Sequence, residues 1–141
     1  MAKVQLQLVE HDYGFEATDA SGNKVRYDNS LGGGGKGFGI SPMQALLMSM
    51  GSCSGIDIVL ILKKQQQIIE LFQMEIEGQR EENKVPALWQ KAHIHFILKG
   101  SIEKNKAIRA IELSINQYCS VAETLRRAGC DITWSLALNE E

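Results

Sequence analysis

No Cys-x-x-Cys pair occurs in this sequence, and its cysteines, Cys53, Cys119 and Cys130, form an odd and widely spaced set. That excludes a zinc ribbon, a thioredoxin-type motif and a disulfide framework. In a reducing compartment such cysteines are either buried fillers or reactive thiols. Charge is nearly balanced: a formal net charge of −2 gives no electrostatic case for nucleic acid or an anionic membrane surface as a partner. No basic segment followed by an apolar run opens the chain, so export is not expected and the expected location is the cytoplasm. The glycine-rich stretch Ser30–Gly39 is no phosphate cradle either, because Lys36 is followed by Gly37 and the next hydroxyl residue is Ser41. It reads as a mobile connector, with a loop that closes over a site as the alternative.

What the sequence does have is one long apolar stretch, Ile40 to Lys64, with Cys53 at its middle. Ser41 is a natural N-cap and Pro42 fits the first helical position, where a missing N–H costs nothing. Lys63 and Lys64 suit the carbonyl end of the helix dipole. Such unbroken apolarity implies a helix enclosed nearly all round. A membrane span is disfavoured, since Asp57 near a bilayer centre would cost about 3 kcal/mol. With 141 residues, 44% hydrophobic and 23% charged, the chain reads as a single globular domain with a real core.

The flanking segments alternate. Val4, Leu6 and Leu8, then Tyr13, Phe15 and Ala17, then Val25 and Tyr27 predict three strands of an antiparallel meander, with a turn at Asp19–Asn23. Beyond the central helix, Phe72, Met74 and Ile76 mark one strand and Ala92, Ile94, Phe96 and Leu98 another. His93 and His95 share the opposite face of the second. No third metal ligand is signalled near them, so they are expected to be solvated and no metal or cofactor is expected. Ala107, Ile108, Ile111 and Ile115 predict an amphipathic helix over 103–118, and Ser120-Val-Ala-Glu123 reads as a capping box opening another that ends at Gly129. Cys130, Ile132, Trp134, Leu136 and Leu138 predict a last strand. The result is an α+β fold of helices against antiparallel sheet: a meander over 1–29, a loop over 30–40, the central helix over 41–64 and a ββααβ part over 68–141. A small sheet covers one side of the central helix, so a second copy of the chain is the expected cover for the rest.

On residue physics, Cys53 and Cys119 read equally as reactive or as structural. Burial in an apolar helix raises a thiol pKa, and Asp57, at i+4 from Cys53, opposes a second negative charge. Cys53 therefore needs a cation from elsewhere, for which Arg26, Lys36, Arg80, Arg126 and Arg127 are the candidates. Cys119 stands beside a helix start, where free N–H groups favour a thiolate. Cys130 alternates with core residues and reads as a small hydrophobe.

Two motifs then carry a resemblance: Ser41-Pro42 through Ser52-Cys53-Ser54, and Tyr118-Cys119-Ser120-Val121. In this order and spacing they resemble the OsmC/Ohr family, the osmotically inducible protein C and organic hydroperoxide resistance proteins. The resemblance covers nearly the whole chain. It implies an intertwined homodimer in which antiparallel sheets wrap long central helices. It also implies a thiol peroxidase acting on small organic hydroperoxides, with Cys53 peroxidatic, Cys119 resolving, and a dithiol as reductant. In the family an arginine and a glutamate complete the site. Here the arginine position falls at Phe15, leaving Arg26 as the candidate activating cation, and Met43 stands at the glutamate position. The chain thus looks like a divergent branch, and the alternative is an OsmC-like redox or small apolar ligand-binding protein without peroxidase turnover.

Overall fold

Alternating residues build β1 (Val4–Glu10), β2 (Gly14–Asp19) and β3 (Lys24–Tyr27), and these pair antiparallel in the order β1-β2-β3. The turn between β2 and β3 is closed by the Asp19 carboxylate, which accepts from the N–H groups of Ser21 and Asn23, both at 2.9 Å. Gly22 supplies the positive φ of 89° there. The alternation in β1 does not bury a face: Leu6 is 58% exposed and both sides of the strand are open in the single chain.

The glycine-rich segment, expected as a mobile connector, is tied through a single side chain. Asp28, only 5% exposed, accepts from the N–H groups of Asn29 (2.7 Å), Lys36 (2.9 Å) and Phe38 (3.1 Å). One carboxylate therefore gathers both ends of the loop, and those donors hold its pKa below the usual carboxylate range. Lys36 itself pairs with Asp12 at 2.7 Å.

The structure, a computed structural model describing residues 1–141, contains two compact units, Met1–Leu46 and Leu47–Glu141. Helix α1 (Pro42–Lys64) is long and apolar enough to cross a membrane by length and composition. Its buried residues, Leu47, Met50, Gly51, Ser54, Gly55, Ile58 and Leu62, recur at helical spacing and form a single stripe. The expected all-round enclosure is absent from the single chain: Met48 is 50%, Ile56 63% and Leu60 53% exposed. The stripe is narrow because its small residues admit β4 closely. A Cβ at Gly51 would stand 2.7 Å from Cδ1 of Ile76, and one at Gly55 would stand 3.0 Å from Cε of Met74.

The second sheet runs β4 (Ile68–Arg80), β5 (Trp89–Ser101), β6 (Asp131–Leu138), in that order. Both long strands extend past the segments that alternation marks. Register aligns the apolar residues in rows across it: Phe72 with Leu98 and Leu138, Met74 with Phe96 and Leu136, Ile76 with Ile94 and Trp134. Ile94, Phe96 and Leu98 are fully buried, each burial being worth about 1.5–3 kcal/mol.

One pairing departs from the antiparallel expectation. β5 and β6 are parallel, because a helical crossover rather than a hairpin joins them. That crossover consists of α2 (Lys104–Leu113), a π turn (Ser114–Tyr118) and α3 (Ser120–Arg127). The single amphipathic helix expected over 103–118 is thus interrupted at Ser114. On the other sheet face His93 and His95 are half-buried rather than solvated. Ser135 Oγ lies 2.8 Å from Nε2 of His93 and 2.7 Å from Nδ1 of His95, while Thr133 Oγ1 lies 2.7 Å from Nδ1 of His93.

Candidate functional site

Cys53 and Cys119, 66 positions apart in sequence, come near each other in the tertiary structure, close enough for Cys53 to act on the ionisation of the Cys119 thiol. Cys53 is half-buried at the centre of α1, and Cys119 is 2% exposed at the junction between the π turn and α3. Both are free thiols. The thiol of Cys119 faces the carbonyl of Met50, on the turn of α1 before Cys53, at 3.9 Å.

The junction is built locally. Cys119 has extended backbone, φ −75° and ψ 102°, and its Sγ accepts from the N–H of Ala122 at 3.4 Å, so Cys119 is the N-cap of α3. The capping box expected to begin at Ser120 therefore starts one residue too late. Glu123 does not reach back to the cap; it pairs with Arg126 at 2.7 Å and Arg127 at 3.1 Å instead. At the other end Gly129 takes φ 101° and donates to the Arg126 carbonyl, ending the helix where its glycine signals.

The helix start does not make Cys119 a ready thiolate, as its position in the sequence suggests. Burial pushes the Cys119 pKa up from its ordinary 9.0 to about 11; the Ala122 N–H pulls the other way, and Cys53 and Asp57 push it higher still. Desolvation outweighs one long hydrogen bond to sulfur. Cys119 is a protonated thiol at neutral pH.

Asp57, one turn beyond Cys53 on α1, completes the site with two serines. Ser114 Oγ donates toward Oδ2 of Asp57 (3.0 Å) and toward the carbonyl of Ser54 (3.2 Å). Ser114 is fully buried and opens the π turn; its own carbonyl accepts the Cys119 N–H at 2.8 Å. The sequence offers one weak signal for Ser114, a polar residue within the apolar spacing of 107–115. Beside this cluster, Asp57, Leu60, Ile61, Lys64, Leu113 and Tyr118 line a cavity of about 350 Å³.

The other predicted residues have partners of their own. Arg26 pairs with Glu16 at 3.6 Å and its guanidinium stands 5.0 Å over the Phe38 ring. Arg80 donates to the Ala87 carbonyl, and Arg126 also donates to the Ile115 carbonyl. Cys130 is buried, with burial first and Asp131 second raising its pKa, as suits a small core residue.

The family model described as OsmC-like protein matches residues 33–135. Protein YhfA of Escherichia coli K12 is 36% identical over 115 residues, covering 81% of this chain and 82% of that protein. Among solved structures, a hypothetical protein from Aquifex aeolicus is 29% identical with a TM-score of 0.81, over 99% of this chain and 98% of that one. An organic hydroperoxide resistance protein from Legionella pneumophila shares the fold at 15% identity, TM-score 0.72, over 97% of this chain and 96% of that one.

Proposed function

The chain belongs to the OsmC-like protein family, and from that premise we propose that it is a thiol-dependent peroxidase for small organic hydroperoxides. The observation that carries this reading is the nearness of Cys119 to Cys53, its thiol facing the carbonyl of Met50 on the turn of α1 just before Cys53. Structural relatives that bear the name organic hydroperoxide resistance protein support a redox role. In the reaction, the Cys53 thiolate attacks the peroxide oxygen and the O–O bond breaks, giving the alcohol and a Cys53 sulfenic acid. The Cys119 thiol then attacks that sulfur, the S–O bond breaks, and a disulfide and water form. A dithiol reductant returns both thiols, as a reducing cytoplasm would allow.

The difference in exposure supports the division of roles. Half-buried Cys53 can meet a solute, whereas a buried, protonated Cys119 is suited to meeting only its neighbour. The active form is a homodimer. Support for it comes from the apolar outer side of α1, Met48, Ile56 and Leu60, and from the open faces of β1. Arg26 remains the proposed activating cation. A second reading, a redox or apolar ligand-binding protein without turnover, is favoured by the negative sign of the groups acting on Cys119.

Treating the reduced protein with a substoichiometric alkyl hydroperoxide and mapping disulfides by mass spectrometry tests the first reading. A Cys53–Cys119 bond is expected, and it disappears in Cys53→Ser. Thiols that stay free after prolonged exposure would overturn it in favour of the second. Sedimentation tests the dimer, and a stable monomer at micromolar concentration would refute it.

A further inference from the structure

Asp57 and Ser114 lie outside the cysteine motifs, yet they form a polar link between the two elements that carry the thiols. The link runs from α1 through Ser114 to the backbone of Cys119. Two α1 acceptors, the Ser54 carbonyl and Asp57 Oδ2, lie at 3.2 and 3.0 Å from the Ser114 hydroxyl, and the Ser114 carbonyl holds the Cys119 N–H at 2.8 Å. Ser54 adjoins Cys53, and Asp57 stands one turn further on the same helix. The π turn is the second observation. Its wider i→i+5 bond, from the Cys119 N–H to the Ser114 carbonyl, inserts a residue into the helical path and so re-aims the chain at Cys119 and beyond. A continuous α-helix would place Cys119 on a different azimuth.

We propose that Ser114 and Asp57 are positioning residues that clamp the π turn to α1 and thereby set Cys119 in register for disulfide closure with Cys53. The clamp rests on the reading of Cys53 and Cys119 as a redox pair. It acts on the second step, in which the Cys119 thiol displaces water from the Cys53 sulfenic acid, and not on the attack upon peroxide. Disulfide geometry makes this step demanding, since the two Cβ atoms must come to about 3.8 Å with a defined dihedral. Misplacement of about 1 Å can cost a hundredfold in such a step.

The test separates the two steps. In single-turnover reactions with cumene hydroperoxide, Cys53 sulfenic acid is trapped with dimedone and disulfide closure is followed by mass spectrometry. Ser114→Ala and Asp57→Ala are expected to slow closure about tenfold or more, the rate equivalent of one buried hydrogen bond, and to slow sulfenic acid formation much less. Asp57→Asn keeps an acceptor for Ser114 and is expected to restore most of the closure rate lost in Asp57→Ala. A parallel arm oxidises the same variants with diamide, which takes two electrons and two protons from a dithiol and needs no peroxide chemistry. If the peroxide arm gives neither sulfenic acid nor disulfide in the unaltered protein, the peroxidase reading fails, while the diamide arm still reads closure. Equal slowing of both steps, closure unaffected in Ser114→Ala, or no Cys53–Cys119 bond with diamide in the unaltered protein would overturn the clamp.

Discussion

Replacing Cys119 separates its two roles, because the residue is both a helix cap and a thiol. In Cys119→Ala the N–H of Ala122 loses its acceptor in a site 2% exposed. A lost N-cap typically costs about 1 kcal/mol, and sulfur at 3.4 Å is a long acceptor, so the lower part of the usual range applies. Removal of the sulfur from a packed site adds a contribution close to that of one methylene, about 0.8 kcal/mol. The alanine variant should therefore be less stable by about 1.5 kcal/mol, or roughly 5 °C in Tm for a domain of this size. Cys119→Ser differs in one respect: its oxygen is the better acceptor for the cap, and its proton can go to the Met50 carbonyl that the thiol now faces at 3.9 Å. It should stay within about 1 kcal/mol of the parent. Urea unfolding under reducing conditions measures both variants without interference from disulfides. A serine variant as unstable as the alanine variant, or more so, would refute the capping argument, even though both variants lack the disulfide.

The ionisable groups give two further outcomes. With its pKa near 11 instead of 9.0, Cys119 in the folded protein should react with iodoacetamide at neutral pH roughly a hundredfold more slowly than in the urea-unfolded chain, in proportion to thiolate; equal rates would refute the assignment. Because that pKa is raised on folding, the associated stability is whole below pH 9.0 and is lost as pH climbs through about 11. Asp28 shows the opposite sign. Its pKa is held down by the Lys36 and Phe38 N–H groups, so its contribution is whole above the ordinary 3.8 and is lost as pH falls through the lower folded value. Asp28→Ala should speed hydrogen exchange at the Lys36 and Phe38 amides, and unchanged protection there would count against the carboxylate as the anchor of the loop.

The redox pair and the clamp place different demands on the same small volume. Cys53 needs access, Cys119 needs a fixed direction, and Asp57 supplies an acceptor for Ser114 while adding to the charge that keeps Cys119 protonated. The hydrogen bond that Asp57 accepts from Ser114, which leads on to the backbone of Cys119, is what makes it a positioning group.

Local chemistry made much of this molecule legible in sequence. Alternation at Phe72, Met74 and Ile76, and at Ala92, Ile94, Phe96 and Leu98, identified the face that packs on α1. Pro42, the paired lysines at its end and Gly129 located helix ends, because the residues responsible act within a turn of themselves. The two cysteine motifs marked the candidate site. One failure is local: Cys119 rather than Ser120 caps α3, one position before the motif's serine. The others share a cause, which is that the deciding partner is distant in sequence. Burial cancels the favour a helix start shows to a thiolate. His93 and His95 find Thr133 and Ser135 some forty positions on, through a parallel pairing that alternation alone does not reveal. The apolar character of α1 was determined by sequence. Tertiary structure decided that only one stripe of it is covered within the chain, that Asp57 and Ser114 join the site, and that Cys53 lies near Cys119. Periodicity records which face of an element is apolar, whereas register and crossover determine what that face meets.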